Sequence, residues 1–275
     1  MALSKTAAPS GTSTAGLLII NADDWGRCPI TTDQIAKCVA ARALSSVSAM
    51  MFMEDSEHAA ETALSQGIAA GLHLNFTTAF TSSSSRLLNE QQRLAQYLTS
   101  RAARVIFHPG LRSSFEYVAS AQLDEFRRLY GGEPDHVDGH HHMHLCANVL
   151  LDQLIPPGVV VRPHFSYEPG EKHLRNGLFR RFTRPLLARR YRSPQYFFSL
   201  WPLTPQTRLE YIFSFARRFV VEVAAHPFRM DEYSFLTGDE FFKLTSGVRI
   251  ASGLERISLQ ADASGIISGK LPQTA

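Results

Sequence analysis

The stretch "GLLIINADD", residues 16–24, decides how the rest of the chain is read. Its apolar run is short and rich in Ile and Leu, which fits a buried β-strand. It then breaks into Asn21, Ala22, Asp23 and Asp24, so the strand ends in two adjacent carboxylates. A helical pattern follows in "PITTDQIAKCVAARAL" (29–44), with Pro29 near the start and Ile35, Cys38 and Val39 at helical spacing. The unit then repeats. "SSVSAMMF" (45–52) reads as a second strand, "SEHAAETALSQG" (56–67) as a helix closed by Gly67, and "IAAGLHLNF" (68–76) as a third strand. Apolar strands alternating with helices predict a parallel α/β sheet.

Farther along, helices are expected around 88–103 and 114–131, then a fourth strand in "DHVDGHHH" (135–142). A helix over 146–155, a strand in "GVVVRP" (158–163) and a late strand in "RRFVVEVAAHPF" (217–228) complete the rhythm. Residues 1–15 read as a flexible lead. Residues 16–275 read as one domain, with a basic, aromatic insertion around 164–215 and a tail that starts helical near 236.

Composition narrows the class. Apolar residues make up 44% of the 275, enough for a substantial core and too many for a disordered chain. A net charge of +3 does not itself imply nucleic acid, and none is expected as a partner. The charge is uneven: Lys172, Arg175, Arg180, Arg181, Arg184, Arg189, Arg190 and Arg192 occur with no intervening Asp or Glu. That run reads as a solvated helix face, an anionic-substrate contact or a peripheral membrane contact. Cys28, Cys38 and Cys146 make neither a disulfide framework nor a CxxC metal knuckle, which fits a reducing compartment. No apolar run is long enough to cross a bilayer and no signal-like segment opens the chain, so a soluble cytoplasmic protein is expected.

The chemistry collects at strand ends. Asp23 and Asp24, His73 with Asn75, the segment from Asp138 to His144, and His226 all close apolar strands. In parallel α/β folds that edge is where sites assemble. Paired carboxylates are costly to bury without a partner; one can bind a cation while the other handles a proton. The competing role for either is a helix cap. Within "HVDGHHHMH" (136–144), ideal pleating places Asp138, His140 and His142 on one face and His141 on the other. Spacing does not choose between His140 and His142 as a ligand. One Asp and two His leave an open position, the plan of a catalytic metal site.

Four segments in this order resemble the YdjC-like carbohydrate deacetylases, also called the ChbG/HpnK group. They are "NADDWG" (21–26), "GLHLNFT" (71–77), "PDHVDGHHHMHL" (134–145) and "AAHPF" (224–228). The resemblance implies a distorted β/α barrel of the glycoside hydrolase/deacetylase type and removal of an N-acetyl group from a sugar by attack of metal-bound water. It implies Asp24, His73 and His140 as ligands of one divalent metal, Asp23 as general base and His226 as acid. Asn75, Asp138, His142, His144 and Arg162 are then expected around the ligands or facing substrate. The ion is Mg²⁺ by resemblance, whereas an Asp/His/His set favours Zn²⁺ or another transition ion on ligand chemistry. The expected substrate is an acetylated carbohydrate, either a chito-oligosaccharide or a lipid-linked, hopanoid-type glycan; a homodimer is a further expectation. The competing functions are a metal-dependent phosphoesterase on an α/β barrel and a non-catalytic metal-binding protein.

Overall fold

The computed structural model describes residues 16–81, 83–166, 183 and 185–251. The expected lead, much of the basic run and the end of the tail lie outside these residues.

β1 (Leu17–Trp25) is buried along its whole length. It pairs in parallel with β2 (Ser46–Ala49) on one side and with β7 (Val220–Ala225) on the other. Beyond β2 come β3 (Ala70–Leu74), β4 (His136–Gly139) and β5 (Val160–Val161); beyond β7 comes β6 (Tyr196–Ser199). The order is β5-β4-β3-β2-β1-β7-β6, and every pairing is parallel. The margins of this curled sheet approach each other. Arg192 bridges to Val160 of β5, and Ser166 N donates to Phe197 O of β6 at 2.8 Å. Residues 192–199 thus touch both margins, giving the expected distorted barrel.

The connecting helices are α1 (Pro29–Ala40), α2 (Ser56–Gln66), α3 (Ser85–Leu98), α4 (Arg112–Tyr130), α5 (Ala147–Leu151), α6 (Gln206–Phe215), α7 (Met230–Thr237) and α8 (Asp239–Leu244). Pro29 occupies the first turn of α1, where its missing N–H costs nothing. Gly67 ends α2 with φ 64°, a left-handed cap that glycine adopts without strain. No helix among the described residues is long and apolar enough to cross a membrane.

Period-two alternation gives the barrel two chemically different faces. Outward residues Val47, Leu72, Leu74 and Val137 pack against Leu94, Phe115, Val118 and Phe126 of α3 and α4. Leu18, Ile20, Val221 and Val223 pack against Ile212, Phe213, Leu236 and Phe241. Inward, Leu17, Ile19 and Val220 join Ala251 in a small apolar floor. Above it the interior becomes polar while staying buried: Asn21, Asp23, Ser46, Ser48, His73, His136, Asp138 and Glu222.

The structure corrects several boundaries. β4 stops at Gly139, and His140–Leu145 form a 3-10 segment with His141 and His142 at φ 54° and 59°. Pleating therefore does not extend through the histidine cluster, and the face assignment of His140 and His142 by strand alternation fails. The helix expected over 146–155 is only α5. The region read as a basic, aromatic insertion, 164–215, contains β6 and α6.

Candidate active site

Asp24 sits where β1 loses its regular register with β2, between Ala22 and Trp25, and has φ 69°. A non-glycine residue there is strained, and such strain is kept where the surroundings over-determine it. Asp24 Oδ1 lies 3.0 Å from His140 Nδ1 and 3.5 Å from His73 Nε2. Neither contact has hydrogen-bond geometry, so this buried oxygen is left without a hydrogen-bond partner. The competing helix-cap role is not seen: α1 has no side-chain cap.

The ligand atoms of Asp24, His73 and His140 lie within 4.8 Å of one another, and all three residues are buried. His73 Nδ1 donates to Asp138 Oδ1 at 2.7 Å, so a cation that displaces the Nε2 proton would meet that nitrogen on the Asp24 side. The donor set and the orphaned oxygen fit a divalent cation. Burial disfavours charge on His73, yet Asp138 and Asp23 outweigh it and raise its pKa to about 10. Burial likewise opposes charge on Asp24, but His140 and His73 hold it well below the usual carboxylate range. The site attracts positive charge. A second group, Asp23, His73 and Asp138, overlaps the first. It shares His73, and both its carboxylates are already paired with Arg162, which leaves one cation position among the described residues.

Arg162, fully buried, is the hub of the interior. Its Nη1 and Nη2 donate to Asp23 Oδ2 and Oδ1 at 2.7 Å each, and its Nε to Glu222 Oε1 at 2.9 Å. Its Nη2 also lies 2.6 Å from Asp138 Oδ2. Burial would lower the guanidinium pKa, but Asp138, Asp23 and Glu222 keep it well above its ordinary value. Ser48 Oγ donates to Asp138 Oδ2 at 2.7 Å, and His136 Nε2 lies 2.9 Å from the same hydroxyl. Gly71 makes room for His136: a Cβ at position 71 would lie 2.3 Å from the imidazole.

Asp23 Oδ1 accepts from both Arg162 and Asn21 Nδ2, the latter at 2.9 Å. Oδ2 accepts from Arg162 and faces His226 Nε2 at 3.7 Å. Oδ2 is thus the oxygen with capacity to take a proton. The His226 side chain is a third exposed, against 3% for Asp23. Burial lowers the His226 pKa, partly countered by Asp23 and Asp24.

The remaining expected residues support the site or its loops. His144 Nε2 donates to Arg162 O at 3.0 Å, and His142 packs edge-on against Phe165 and Phe197. Asn75 spends its side chain on loop backbone: Oδ1 accepts from Thr77 N and Thr78 N, and Nδ2 donates to Thr78 O. Its amide is used in the turn, not toward substrate. Reading the sequence missed Ser48, His136 and Glu222. The signal was there for His136, two residues before Asp138 on the same strand face.

Acid should destabilise this protein early. Burial pushes the pKa of His144 down to about 4, while the unfolded side chain titrates near 6.5. The unfolded state then binds the proton first, so stability falls as pH drops from about 6.5 to about 4. His144 alone accounts for about 3 kcal/mol at the acid end of that window. Burial puts His141 near 4 too, which adds to this loss, and raises Glu232 to about 7, which offsets part of it. The share of His144 is therefore read from thermal midpoints of wild type against His144→Gln across the window; a difference that does not change with pH would contradict a buried neutral His144.

A mouse carbohydrate deacetylase is 35% identical over 140 residues, covering 48% of this chain and 44% of the relative. A chitooligosaccharide deacetylase from Yersinia pestis is 31% identical over 136 residues, covering 48% and 52%. The chain thus spans about half the length of the curated relatives it matches. A solved Enterococcus faecalis structure, provisionally named a cellobiose-phosphate cleavage protein, superposes with TM-score 0.61 at 17% identity, covering 88% of this chain and 98% of that one. That likeness concerns the fold. The family model described as YdjC-like protein matches residues 17–246, which span the barrel and its site, and the chain belongs to that family.

Proposed function

We propose that this protein is a metal-dependent carbohydrate N-deacetylase. The observation that carries the reading is the convergence of Asp24, His73 and His140 beside Asp23 and His226 at one barrel mouth. The names of the mouse and Yersinia relatives agree with it. When bound, a divalent cation at the three ligands would polarise the acetyl carbonyl and lower the pKa of water. Asp23 Oδ2 takes the proton from the attacking water. Arg162 fixes the plane of that carboxylate through two parallel hydrogen bonds. His226, the more open partner, protonates the leaving amine, and acetate departs. The substrate class is an N-acetylated oligosaccharide. Two imidazoles and one carboxylate favour Zn²⁺, Co²⁺ or Mn²⁺ over Mg²⁺.

Acetate release from N-acetylated chito-oligosaccharides, with and without chelator, tests the reading. Activity should vanish on chelation and return at least as well with Zn²⁺, Co²⁺ or Mn²⁺ as with Mg²⁺. His140→Ala should bind less than a tenth as much Zn²⁺ by elemental analysis, since losing even a partner behind a ligand typically costs about 10–100-fold in affinity and this change removes a ligand itself. Chelator-resistant acetate release would refute the metal role, and restoration by Mg²⁺ alone would refute the preference.

A further inference from the structure

Three chain links leave the same edge of the barrel from adjacent strands β6, β7 and β1. They carry large side chains that the fold does not bury. Trp201, just after β6, is 48% exposed, and Phe228, two residues past His226, is 41% exposed. Exposed aromatics grouped beside a candidate site offer apolar faces to a ligand.

These side chains form two contact sets joined at neighbouring residues. Phe228 meets the His226 ring edge-on at 5.9 Å. The Arg27 guanidinium lies 5.8 Å from the Phe228 ring, and its Nη1 is 3.3 Å from Asp24 Oδ2. Arg229, next in sequence to Phe228, places its guanidinium 4.7 Å from the Trp201 ring. Phe228 and Arg229 are adjacent in sequence, so one backbone step joins the contacts at the candidate active site to the Arg229–Trp201 pair. The Trp201 link is clamped: Arg208 donates to Ser199 O at 2.8 Å, Leu200 O at 3.0 Å and Pro202 O at 2.9 Å.

Charge selects the occupant. Arg27 is paired with Asp24, and Arg229 lies 3.3 Å from Glu232 and 3.5 Å from Asp231. Each guanidinium thus has a carboxylate neighbour that lessens its pull on an anion, while N–H groups remain beside two aromatic faces. This favours a neutral ring with an apolar C–H face and hydroxyl edges over a phosphate or an anionic lipid. We infer that Trp201, Arg229, Phe228 and Arg27 form a saccharide subsite that holds the pyranose next to the one being deacetylated. The inference rests on the deacetylase reading for the reaction, but not for binding itself.

The test uses tri-N-acetylchitotriose as probe. Of the two tryptophans, Trp25 is fully buried, so a binding-induced change in intrinsic fluorescence reports Trp201. Wild type should show a saturable change that Trp201→Phe removes. In acetate release, Trp201→Ala should raise KM for the trisaccharide about tenfold, the size of one lost aromatic contact, with kcat altered much less. Phe228→Ala should act in the same direction, and Trp201→Phe should retain most of the affinity. Unchanged KM in both alanine variants, with circular dichroism showing a native fold, would overturn the subsite. If wild type binds the trisaccharide through Trp201 but releases no acetate from any N-acetylated sugar, the activity reading fails and the subsite stands. If wild type shows neither binding nor release, both fall.

Discussion

Asp23→Asn is expected to lower kcat for acetate release by about 10²–10⁴-fold, the usual worth of a general base. Cation binding should survive, because Asp23 is not among the Asp24, His73 and His140 atoms that converge. The substitution keeps the size and the buried position of the side chain. It removes the acceptor capacity of Oδ2, the oxygen that faces His226. Calorimetric titration with Zn²⁺ and single-turnover acetate release, run on the same preparation, separate the two effects. Near-normal kcat with metal bound would refute Asp23 as base and move attention to His226.

Arg162→Leu is expected to cost about 3–5 kcal/mol of folding stability, because it strands buried carboxylates without their cation. Asp23, Asp138 and Glu222 reach the guanidinium from β1, β4 and β7. Arg162→Lys should fall between wild type and Leu, since one ammonium cannot reproduce the planar fork that meets three partners. Adding Glu222→Gln to Arg162→Leu should recover part of the loss, because it removes one of the three carboxylates that lose the guanidinium. Urea unfolding of the four proteins measures this; a Leu variant as stable as wild type would show that the network carries little of the fold.

Much of the architecture was legible in local pattern. Short apolar runs ending in polar residues located β1, β3 and β7. Pro29 and Gly67 marked helix ends by backbone chemistry that depends on few neighbours. The convergence of Asp24, His73 and His140 followed the resemblance, whereas spacing alone had left His140 and His142 tied. The period-two argument overreached because the pleat ends at Gly139, and positive φ at His141 and His142 re-aims both rings. Glu222 was invisible for another reason. A single carboxylate in "VVEVAA" looks like the wet side of a half-buried strand, whereas the crossing of Arg162 from 60 residues upstream gives it a buried partner. Closure through residues 192–199 also depends on contacts that no local window contains.

The ionic interior has a kinetic consequence. Strand–helix units from β1 through β4 can meet early, since their contacts are close in sequence. Arg162 lies just past β5, which pairs with β4, so the guanidinium and Asp138 come from neighbouring strands, while Asp23 is 139 residues away and Glu222 is 60. One guanidinium therefore fastens strands from distant parts of the chain, and the pairs made across the longest separations carry the largest loop-closure cost.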